Sequence, residues 1–351
     1  MRQKREKAVR RERKSYDISQ SALYNTSTKL KLASLFSVEI GALKDCIGDY
    51  RQFELIPEPD PFKAGKPPKS RLVQKPAPRL LAIHERILKL LRCVRVPEYM
   101  QFALKGTSYK RNAEEHLHKN CVVTLDIRNF FGSTSKSKVF NLFNNDLKAP
   151  GDVANMYADL VTVDNCLPTG SPLSPLMSFY ANKNLFDDLS KLAQAHNLTF
   201  TCYVDDLTFS GEKISESFLW QIERTIAAYG HIVASNKTKL FQNCKPAHIT
   251  GVVAHSGAIR VPNARYRKIR LIKAAISTGK NNYGLTRKEL EYKLGGLLGE
   301  AAYLDPRNLP AAIAFNKSFQ RASSALPEHV PENPDTATEK TFDDASDLPW
   351  N

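Results

Sequence analysis

The stretch LTFTCYVDDLTFS, residues 198–210, decides the fold of this chain. Two short runs of β-branched and aromatic residues flank the pair Asp205-Asp206, which predicts two strands joined by a tight turn. Adjacent carboxylates at a turn repel each other and gain little from packing, so a divalent cation is the simplest partner that would stabilise them. A solvated Asp-Asp turn is the alternative for this pair taken alone.

The composition indicates a globular protein that binds a polyanion. The 351 residues suffice for two or three subdomains, and 42% hydrophobic with 25% charged residues is ordinary. The net charge of +15 is not ordinary, and it favours nucleic acid or an anionic membrane as a partner. Since no apolar run approaches the roughly 18 residues of a membrane span, we expect a cytoplasmic protein without a membrane partner.

The cysteines indicate reduced thiols rather than a disulfide framework or a zinc site. The six cysteines, at 46, 93, 121, 166, 202 and 244, are scattered and form no C-x-x-C pair. His116 and His118 form an H-x-H without cysteine or carboxylate partners at ligand spacing, so we do not expect zinc there.

The two ends of the chain carry opposite charge. Residues 1–14 hold eight Lys/Arg against two Glu, and either contact RNA or form a frayed, solvated helix. Beyond Leu326 there are seven Asp/Glu against one Lys, in a proline-punctuated tail that we expect to be disordered. Docking of this tail on the basic cleft or on a basic partner is the alternative.

Hydrophobic periodicity predicts alternating helices and strands between these ends. We expect helices over 16–48, 80–94 and 173–192, strands over 121–127 and 198–203, and a basic, then apolar, helical region over 261–320.

Asp126 is the candidate for a third carboxylate. It ends the predicted strand Val122–Asp126, and Phe130 and Phe131 follow within one turn. Nucleotidyl transfer needs two metal ions bridged by carboxylates, and two acids at one turn are not enough. Taken alone, Asp126 could equally be a helix N-cap, and the aromatic pair could be core.

Between the acidic sites lies Leu-Pro-Thr-Gly-Ser-Pro-Leu-Ser-Pro, residues 167–175, which leads into a helix. Three prolines make this turn rigid, and Gly170 lets its backbone approach another backbone or an incoming sugar closely. Alone, the segment is only a helix-start signal.

The order and spacing of these three segments resemble those of reverse transcriptases, and the resemblance extends over about residues 65–320. It implies an α+β, right-hand polymerase with fingers, an antiparallel-sheet palm and a helical thumb. The implied division is a basic arm and helical region (1–60), fingers (61–118), palm (119–255, with a finger insertion near 135–170), thumb (256–325) and acidic tail (326–351).

Two further motifs resemble the bacterial retron reverse transcriptases. Asn112-Ala113-x-x-His116 matches their N-A-x-x-H signature, and Ile249-Thr250-Gly251 is similar to their V-T-G signature. The resemblance implies that the chain copies a structured noncoding RNA of the msr–msd type. Synthesis would start from an internal 2′-hydroxyl and leave RNA-linked single-stranded DNA. It also implies a role in anti-phage defence with a separately encoded effector protein, in a bacterial cytoplasm.

The resemblance also implies roles for individual residues. Asp126, Asp205 and Asp206 would hold two Mg²⁺ ions, with Asp126 and Asp205 as direct ligands, and Phe131 would be the steric gate against a ribonucleotide. The residues expected at the deoxynucleotide are Lys69, Arg71, Phe131, Gly170 and Lys237. Those expected at nucleic acid are Asn112, His116, Tyr203, Thr250, Gly251, Arg265, Arg267, Lys268, Arg270 and Lys273.

The chain departs from the family pattern at a few positions, and other functions stay open. Val204 stands where most retron enzymes have Ala, Thr169 where many reverse transcriptases have Gln, Ala234 where an Asn precedes the family's lysine, and Ile249 where Val is usual. The alternatives are a group II intron-like or diversity-generating reverse transcriptase, or a catalytically silent RNA-binding module that restrains a partner.

Overall fold

The computed structural model describes residues 15–62, 69–279 and 283–324. The basic arm predicted for residues 1–14 and the acidic tail predicted for 326–351 lie outside these ranges. The described part is an α+β protein, in which helices surround a four-stranded antiparallel sheet and a second, helical unit follows it. Among the described helices, none is long and apolar enough to cross a membrane.

The chain before the sheet is mostly helical and carries one hairpin. Its helices are α1 (Lys29–Phe36), α2 (Ile40–Asp45), α3 (Pro78–Leu91) and α4 (Tyr109–Glu114), and its hairpin pairs β1 (Tyr50–Leu55) with β2 (Arg71–Pro76). The helix expected over 16–48 is divided, because Thr28 caps the start of α1 and Ser37 ends it with a left-handed φ of 56°. The amphipathic helix expected over 80–94 is confirmed by α3, which buries one apolar face.

The central sheet has the strand order β4-β5-β3-β6, and all its neighbours are antiparallel. Its strands are β3 (Cys121–Asp126), β4 (Thr199–Tyr203), β5 (Asp206–Gly211) and β6 (Lys239–Phe241). The predicted strands at 121–127 and 198–203 are thereby confirmed. Because β3 pairs on both sides and is almost fully buried, the residue at its end is held from several directions.

Seven helical segments surround the sheet. They are α5 (Phe130–Ser133), α6 (Lys136–Asn141), a π-helical segment (Leu142–Asp146), α7 (Gly151–Val161), α8 (Ser174–Ala181), α9 (Lys183–Ala195) and α10 (Glu216–Ala228). The single helix predicted over 173–192 is wrong, because it breaks at Asn182 between α8 and α9. The Asn182 side chain donates to the Ser178 carbonyl (2.8 Å) and to the Thr134 hydroxyl (3.0 Å), which favours this break.

The C-terminal unit combines a small sheet with three helices. Strands β7 (Ala247–Ile249), β8 (Val252–His255) and β9 (Ala258–Arg260) form a meander, followed by α11 (Asn263–Thr278), α12 (Arg287–Leu304) and α13 (Leu309–Ser324). These strands and helices share one apolar cluster, distinct from that of the central sheet. The boundary predicted at 255 therefore falls inside a packed unit, between two paired strands.

The loop between β1 and β2 reaches across to this unit. Asp60 forms an ion pair with Lys268 (2.9 Å), and the Phe62 ring lies 4.4 Å from that of Tyr283. The loop of the hairpin is thus in contact with the C-terminal unit.

Candidate active site

The turn between β4 and β5 presents two carboxylates. Tyr203 pairs with Asp206 across the hairpin, so Val204 and Asp205 form a two-residue loop. Val204 has a φ of 59°, a left-handed conformation that costs a non-glycine residue about 1–2 kcal/mol. The surrounding pairing holds this strained backbone in place and brings both acids to the end of the sheet.

Asp126 lies beside this turn on the neighbouring strand. The register of β3 with β5 pairs Asp126 with Asp206, and the Ile127 amide donates to the Asp205 carbonyl (3.0 Å). Three carboxylates therefore meet at one end of two adjacent strands. Asp126 is only 9% exposed and is the last residue of β3, and Asn129 is the N-cap of the next helix, so Asp126 is not the helix N-cap that the sequence left open.

Burial and mutual repulsion dominate the electrostatics of the three acids. Burial, followed by the charges of Asp205 and Asp126, raises the pKa of Asp206 to about 7. Burial and the Asp126 charge also raise the pKa of Asp205, and the nearby Lys237 and Arg71 oppose that rise. Burial and like charge therefore disfavour full ionisation of these acids.

Lys237 supplies the nearest positive charge. Its Nζ atom donates to Asp126 Oδ2 at 2.7 Å, and this hydrogen bond raises the pKa of the lysine. The backbone that carries Lys237 is anchored to the same aspartate, because the Ala234 amide donates to the Asp126 carbonyl (2.8 Å). Ala234, a departure from the family pattern, therefore contributes through its backbone.

The donor set suits a hard divalent cation. Three carboxylates offer only oxygen ligands, the kind that Mg²⁺ prefers, and a cation would relieve the repulsion that raises two of their pKa values. Within the described ranges, no group of three His, Cys, Asp or Glu side chains lies close enough together to hold a metal ion.

Strand β2 docks on the proline-rich turn beside the site. The Gly170 amide donates to the Gln74 carbonyl (3.2 Å), and the Thr169 hydroxyl donates to the Leu72 carbonyl (2.8 Å). A Cβ at Gly170 would lie 2.7 Å from Val73 Cγ1, so only glycine permits this approach. Gly170 thus lets the turn approach the backbone of β2. A close approach to another backbone was one of the two roles that the sequence indicated for this glycine, the other being an approach to an incoming sugar.

This docking brings Arg71 towards the acids. Arg71 begins β2 and lies close enough to Asp205 to oppose the rise in its pKa, while Lys69 is exposed just before the strand. Thr169, where many relatives have Gln, here ties β2 to the turn.

Phe130 and Phe131 occupy different environments beside Asp126. Phe130 is 3% exposed and packs against Phe186, so for this ring the core alternative is right. Phe131 is half-buried, and its carbonyl accepts from the Leu167 amide (3.3 Å) at the start of the proline-rich turn. Tyr203, before the acidic turn, is also half-buried and lies edge-on to Phe102.

Comparison with known proteins agrees with this arrangement. Residues 59–254 match the family model described as reverse transcriptase (RNA-dependent DNA polymerase). The chain belongs to this family. The right-hand polymerase architecture expected from the sequence is thereby confirmed, and reverse transcriptases generally use divalent metal ions.

The curated relatives of this reverse transcriptase confirm its resemblance to the retron group. They include the retron Se72 reverse transcriptase of Salmonella heidelberg (strain 579083-10), at 32% identity, and the retron Ec86 enzyme of Escherichia coli and retron Mx162 enzyme of Myxococcus xanthus, both at 26%. The matches cover 47%, 67% and 74% of this chain, and 42%, 72% and 60% of those relatives. The chain thus spans less than half of the Se72 relative.

A solved structure of a foamy viral protease–reverse transcriptase, in complex with double-stranded DNA, also matches. The match covers 75% of this chain and 38% of the viral chain, with 17% sequence identity and a TM-score of 0.43. A TM-score of this size does not by itself establish a shared fold.

The N-A-x-x-H residues of this reverse transcriptase lie inside the protein, not at the surface expected for them. His116 is 2% exposed and bridges Ser210 Oγ (2.6 Å) and Thr201 Oγ1 (2.7 Å) of the central sheet, and burial lowers its pKa to about 3. Asn112 is fully buried and donates to Thr250 Oγ1 (3.3 Å). The motif therefore fastens α4 to the sheet and to the Thr250-Gly251 turn, so the expected direct contact of these two side chains with nucleic acid needs correction.

The five basic residues of α11 divide into two groups. Arg265 is paired with Glu300 (3.0 Å) and Lys268 with Asp60, so both are engaged within the protein. Arg267, Arg270 and Lys273 are exposed and remain candidates for nucleic-acid contact. Gly251 has a φ of 83°, and a Cβ there would lie 3.7 Å from the Arg265 guanidinium.

Sequence reasoning missed a buried histidine beneath the proline-rich turn. His84, on α3, contacts Ser171 Oγ (2.7 Å) and the Leu160 carbonyl (2.9 Å), and burial lowers its pKa to about 4. A single His in a helical stretch carries no sequence signal, because its partners lie more than 70 residues away along the chain.

The substitution Gly170→Ala tests the docking of β2. Since the new Cβ would also lie 2.9 Å from the Gln74 carbonyl oxygen, we expect the free energy of unfolding, measured by urea denaturation, to fall by about 1–3 kcal/mol. Gly41→Ala in α2 is the matched control, because nothing lies within 4 Å of its Cβ, and its stability should be unchanged or slightly higher. Equal stability of the two variants would contradict the docking.

The pH dependence of stability tests the crowding of the acids. The pKa of Asp206 rises from 3.8 to about 7 on folding. Between about pH 4 and pH 7, Asp206 in the folded protein therefore keeps a proton that it has lost in the unfolded chain. Stability contributed by this group is present at low pH and is lost as the pH rises through that window. In EDTA, the Tm of the wild type should therefore fall more steeply from pH 5 to pH 8 than that of Asp206→Asn.

The exposed Asp45→Asn at the end of α2 is the control for this measurement. Added Mg²⁺ at pH 8 should raise the Tm of the wild type more than that of Asp206→Asn. Parallel Tm curves for all three proteins would refute the crowding.

Proposed function

We propose that this chain is an RNA-directed DNA polymerase of a retron, which copies a cognate structured noncoding RNA into RNA-linked single-stranded DNA. The observation that carries the proposal is the convergence of Asp126, Asp205 and Asp206 at one end of β3 and β5. Family membership and the retron relatives support the same activity.

We assign the hand-like parts as follows. The β1–β2 hairpin and the helices around it form the fingers, the central sheet forms the palm, and β7–β9 with α11–α13 form the thumb. The cleft between them is bounded by the basic α11 on one side and by β2 on the other, where a template–primer would lie.

The three carboxylates fit two Mg²⁺ ions, with Asp126 and Asp205 as the direct ligands. When bound, such ions activate the attacking hydroxyl and neutralise the leaving pyrophosphate. Lys237 is the mobile partner in this scheme, because its side chain is 58% exposed and can turn from Asp126 towards a triphosphate.

The nucleotide would be held from two sides. Arg71 and the exposed Lys69 approach from the fingers and pair with the triphosphate, in a position that the β2 docking at Gly170 maintains. Phe131 follows Asp126 by five residues and is half-buried, and its ring would exclude a ribose 2′-hydroxyl. These assignments make the site selective for deoxynucleotides.

The retron type brings further partners into the proposal. The template would be a noncoding RNA of the msr–msd type that also supplies the priming 2′-hydroxyl, and Arg267, Arg270 and Lys273 would follow its backbone. Binding should then weaken steeply with salt. We extend the proposal to a role in anti-phage defence with a separately encoded effector protein. Sequencing the copurified RNA distinguishes a retron enzyme from an intron-like or diversity-generating reverse transcriptase.

Removing two carboxylates separates catalysis from RNA binding. We expect Asp205→Asn with Asp206→Asn to abolish primer extension with dNTPs and Mg²⁺ while RNA affinity, measured by filter binding, changes little, because the oxygens are lost without a change in volume. Asp187→Asn with Asp188→Asn is the matched control, since this adjacent pair lies on α9 and bonds Tyr99 and Tyr229 instead. Extension by the first double variant would refute the metal assignment, and failure of both wild type and variant would favour a silent RNA-binding module.

Truncating the gate tests sugar selection. Phe131→Ala should admit ribonucleotides, lowering the ratio of kcat/KM for dNTP over rNTP by about tenfold or more, because the ring no longer opposes the 2′-hydroxyl. Single-nucleotide extension with each substrate gives the ratio. An unchanged ratio in an active variant would remove Phe131 from this role.

A further inference from the structure

A cluster of buried polar side chains lies behind α5, away from the carboxylates. Its centre is Lys138 on α6, whose Nζ atom donates to Asn182 Oδ1 (2.8 Å), the Tyr229 carbonyl (2.7 Å) and His231 Nε2 (2.5 Å). All three ammonium protons thus have acceptors, and none of these is a carboxylate. Burial lowers the pKa of Lys138 to about 8, which indicates a charge kept at some cost in stability.

One arm of the cluster runs from Lys138 through His231 to the backbone of Phe130. His231 is 1% exposed, and its Nδ1 atom lies 2.7 Å from Ser133 Oγ, which donates to the Phe130 carbonyl (3.2 Å). His231 Nε2 and Asn182 Oδ1 lie 2.8 Å apart, and both face the Lys138 ammonium. Because a lysine ammonium only donates, it serves as the donor to both atoms, so Nε2 accepts and Nδ1–H donates to Ser133. A neutral imidazole meets this requirement, and burial lowers the pKa of His231 to about 4.

A second arm ends on the same carbonyl. Asn182 accepts from Lys138 through Oδ1 and donates through Nδ2 to Thr134 Oγ1 (3.0 Å). The Thr134 hydroxyl in turn donates to the Phe130 carbonyl (2.9 Å). Asn182 and Thr134 are both fully or almost fully buried, so this path is shielded from water.

The two arms stabilise helix α5, which is too short to be stable by itself. Helix α5 has only four residues, Phe130–Ser133, too few for a stable isolated helix. The Phe130 ring also packs against His231, with centroids 5.4 Å apart. The backbone immediately before Phe131 is therefore positioned by side chains from α6, from the start of α9 and from the segment after α10.

The same segment also reaches the catalytic side. The residues after His231 run beside the end of β3, where the Arg128 amide donates to the Ile232 carbonyl (2.8 Å) and the Ala234 amide to the Asp126 carbonyl. The segment that carries His231 is thus hydrogen-bonded to the backbone of Asp126 and Arg128.

We propose that Lys138, His231 and Asn182 are positioning residues that hold Phe131 against the sugar of the incoming nucleotide and so determine selection of deoxyribose over ribose. The inference rests on the proposed polymerase function and on Phe131 as the gate. Loosening the cluster lets the ring recede from the 2′-hydroxyl without removing any group that touches substrate.

Lys138→Met is the test, because it keeps the length of the side chain and removes its donors. In single-nucleotide extension, the ratio of kcat/KM for dNTP over rNTP should fall by about five- to tenfold, and KM for dNTP should rise while kcat changes by less than about threefold. Lys136→Met on the same helix is the matched control, since Lys136 instead pairs with Asp159 and should keep the wild-type ratio. A folded, active Lys138→Met enzyme with the wild-type ratio would overturn the proposal.

Ser133→Ala decides the question if Lys138→Met does not fold. It removes only the hydroxyl between His231 and the Phe130 carbonyl, so the sugar ratio should fall in the same direction, and an unchanged ratio would overturn the proposal. Phe131→Ala should combine with Ser133→Ala without further loss if both act through the ring; fully additive losses would also overturn it. A wild type that extends no primer overturns the proposed function itself. If the wild type extends primers and selects dNTP over rNTP, the variants test the positioning role alone.

Discussion

Repulsion between buried carboxylates is the interaction on which the rest of this structure depends. Three acids at one end of a sheet are unfavourable together, and burial makes the repulsion stronger. The strained Val204 turn, the double pairing of β3 and the Lys237 contact all hold the acids where they would otherwise separate. Such an arrangement is stable enough to persist and gains most from a divalent cation.

Polar contacts hold the elements around the acids in place. Strand β2 carries Arg71 and is held by two hydrogen bonds to the Thr169-Gly170 turn. That turn is held from beneath by His84, and α5 is held by the Lys138 cluster. Three separate segments are thus held by polar contacts from residues distant in sequence.

Much of this site could be predicted from the sequence, because its signals are local. The alternation around Asp205 and the strand before Asp126 predicted the sheet, and the glycine among prolines predicted a close backbone approach. The break at Asn182 was missed, since the hydrophobic pattern continues across it and its cause is a hydrogen bond to Thr134, 48 residues earlier. His116 was expected to contact nucleic acid for the same reason: its partners on β4 and β5 are close only after folding.

The most direct measurement is the incorporation of labelled dNTP by the purified protein on its copurified RNA, with Mg²⁺ or with EDTA. We predict labelled DNA only with Mg²⁺. This DNA should resist alkali, whereas the RNA joined to it should be hydrolysed. No labelled DNA should form when Asp205 and Asp206 are replaced by Asn. A folded protein that retains its RNA and yields no labelled DNA in Mg²⁺, or yields equal amounts in EDTA, would contradict it.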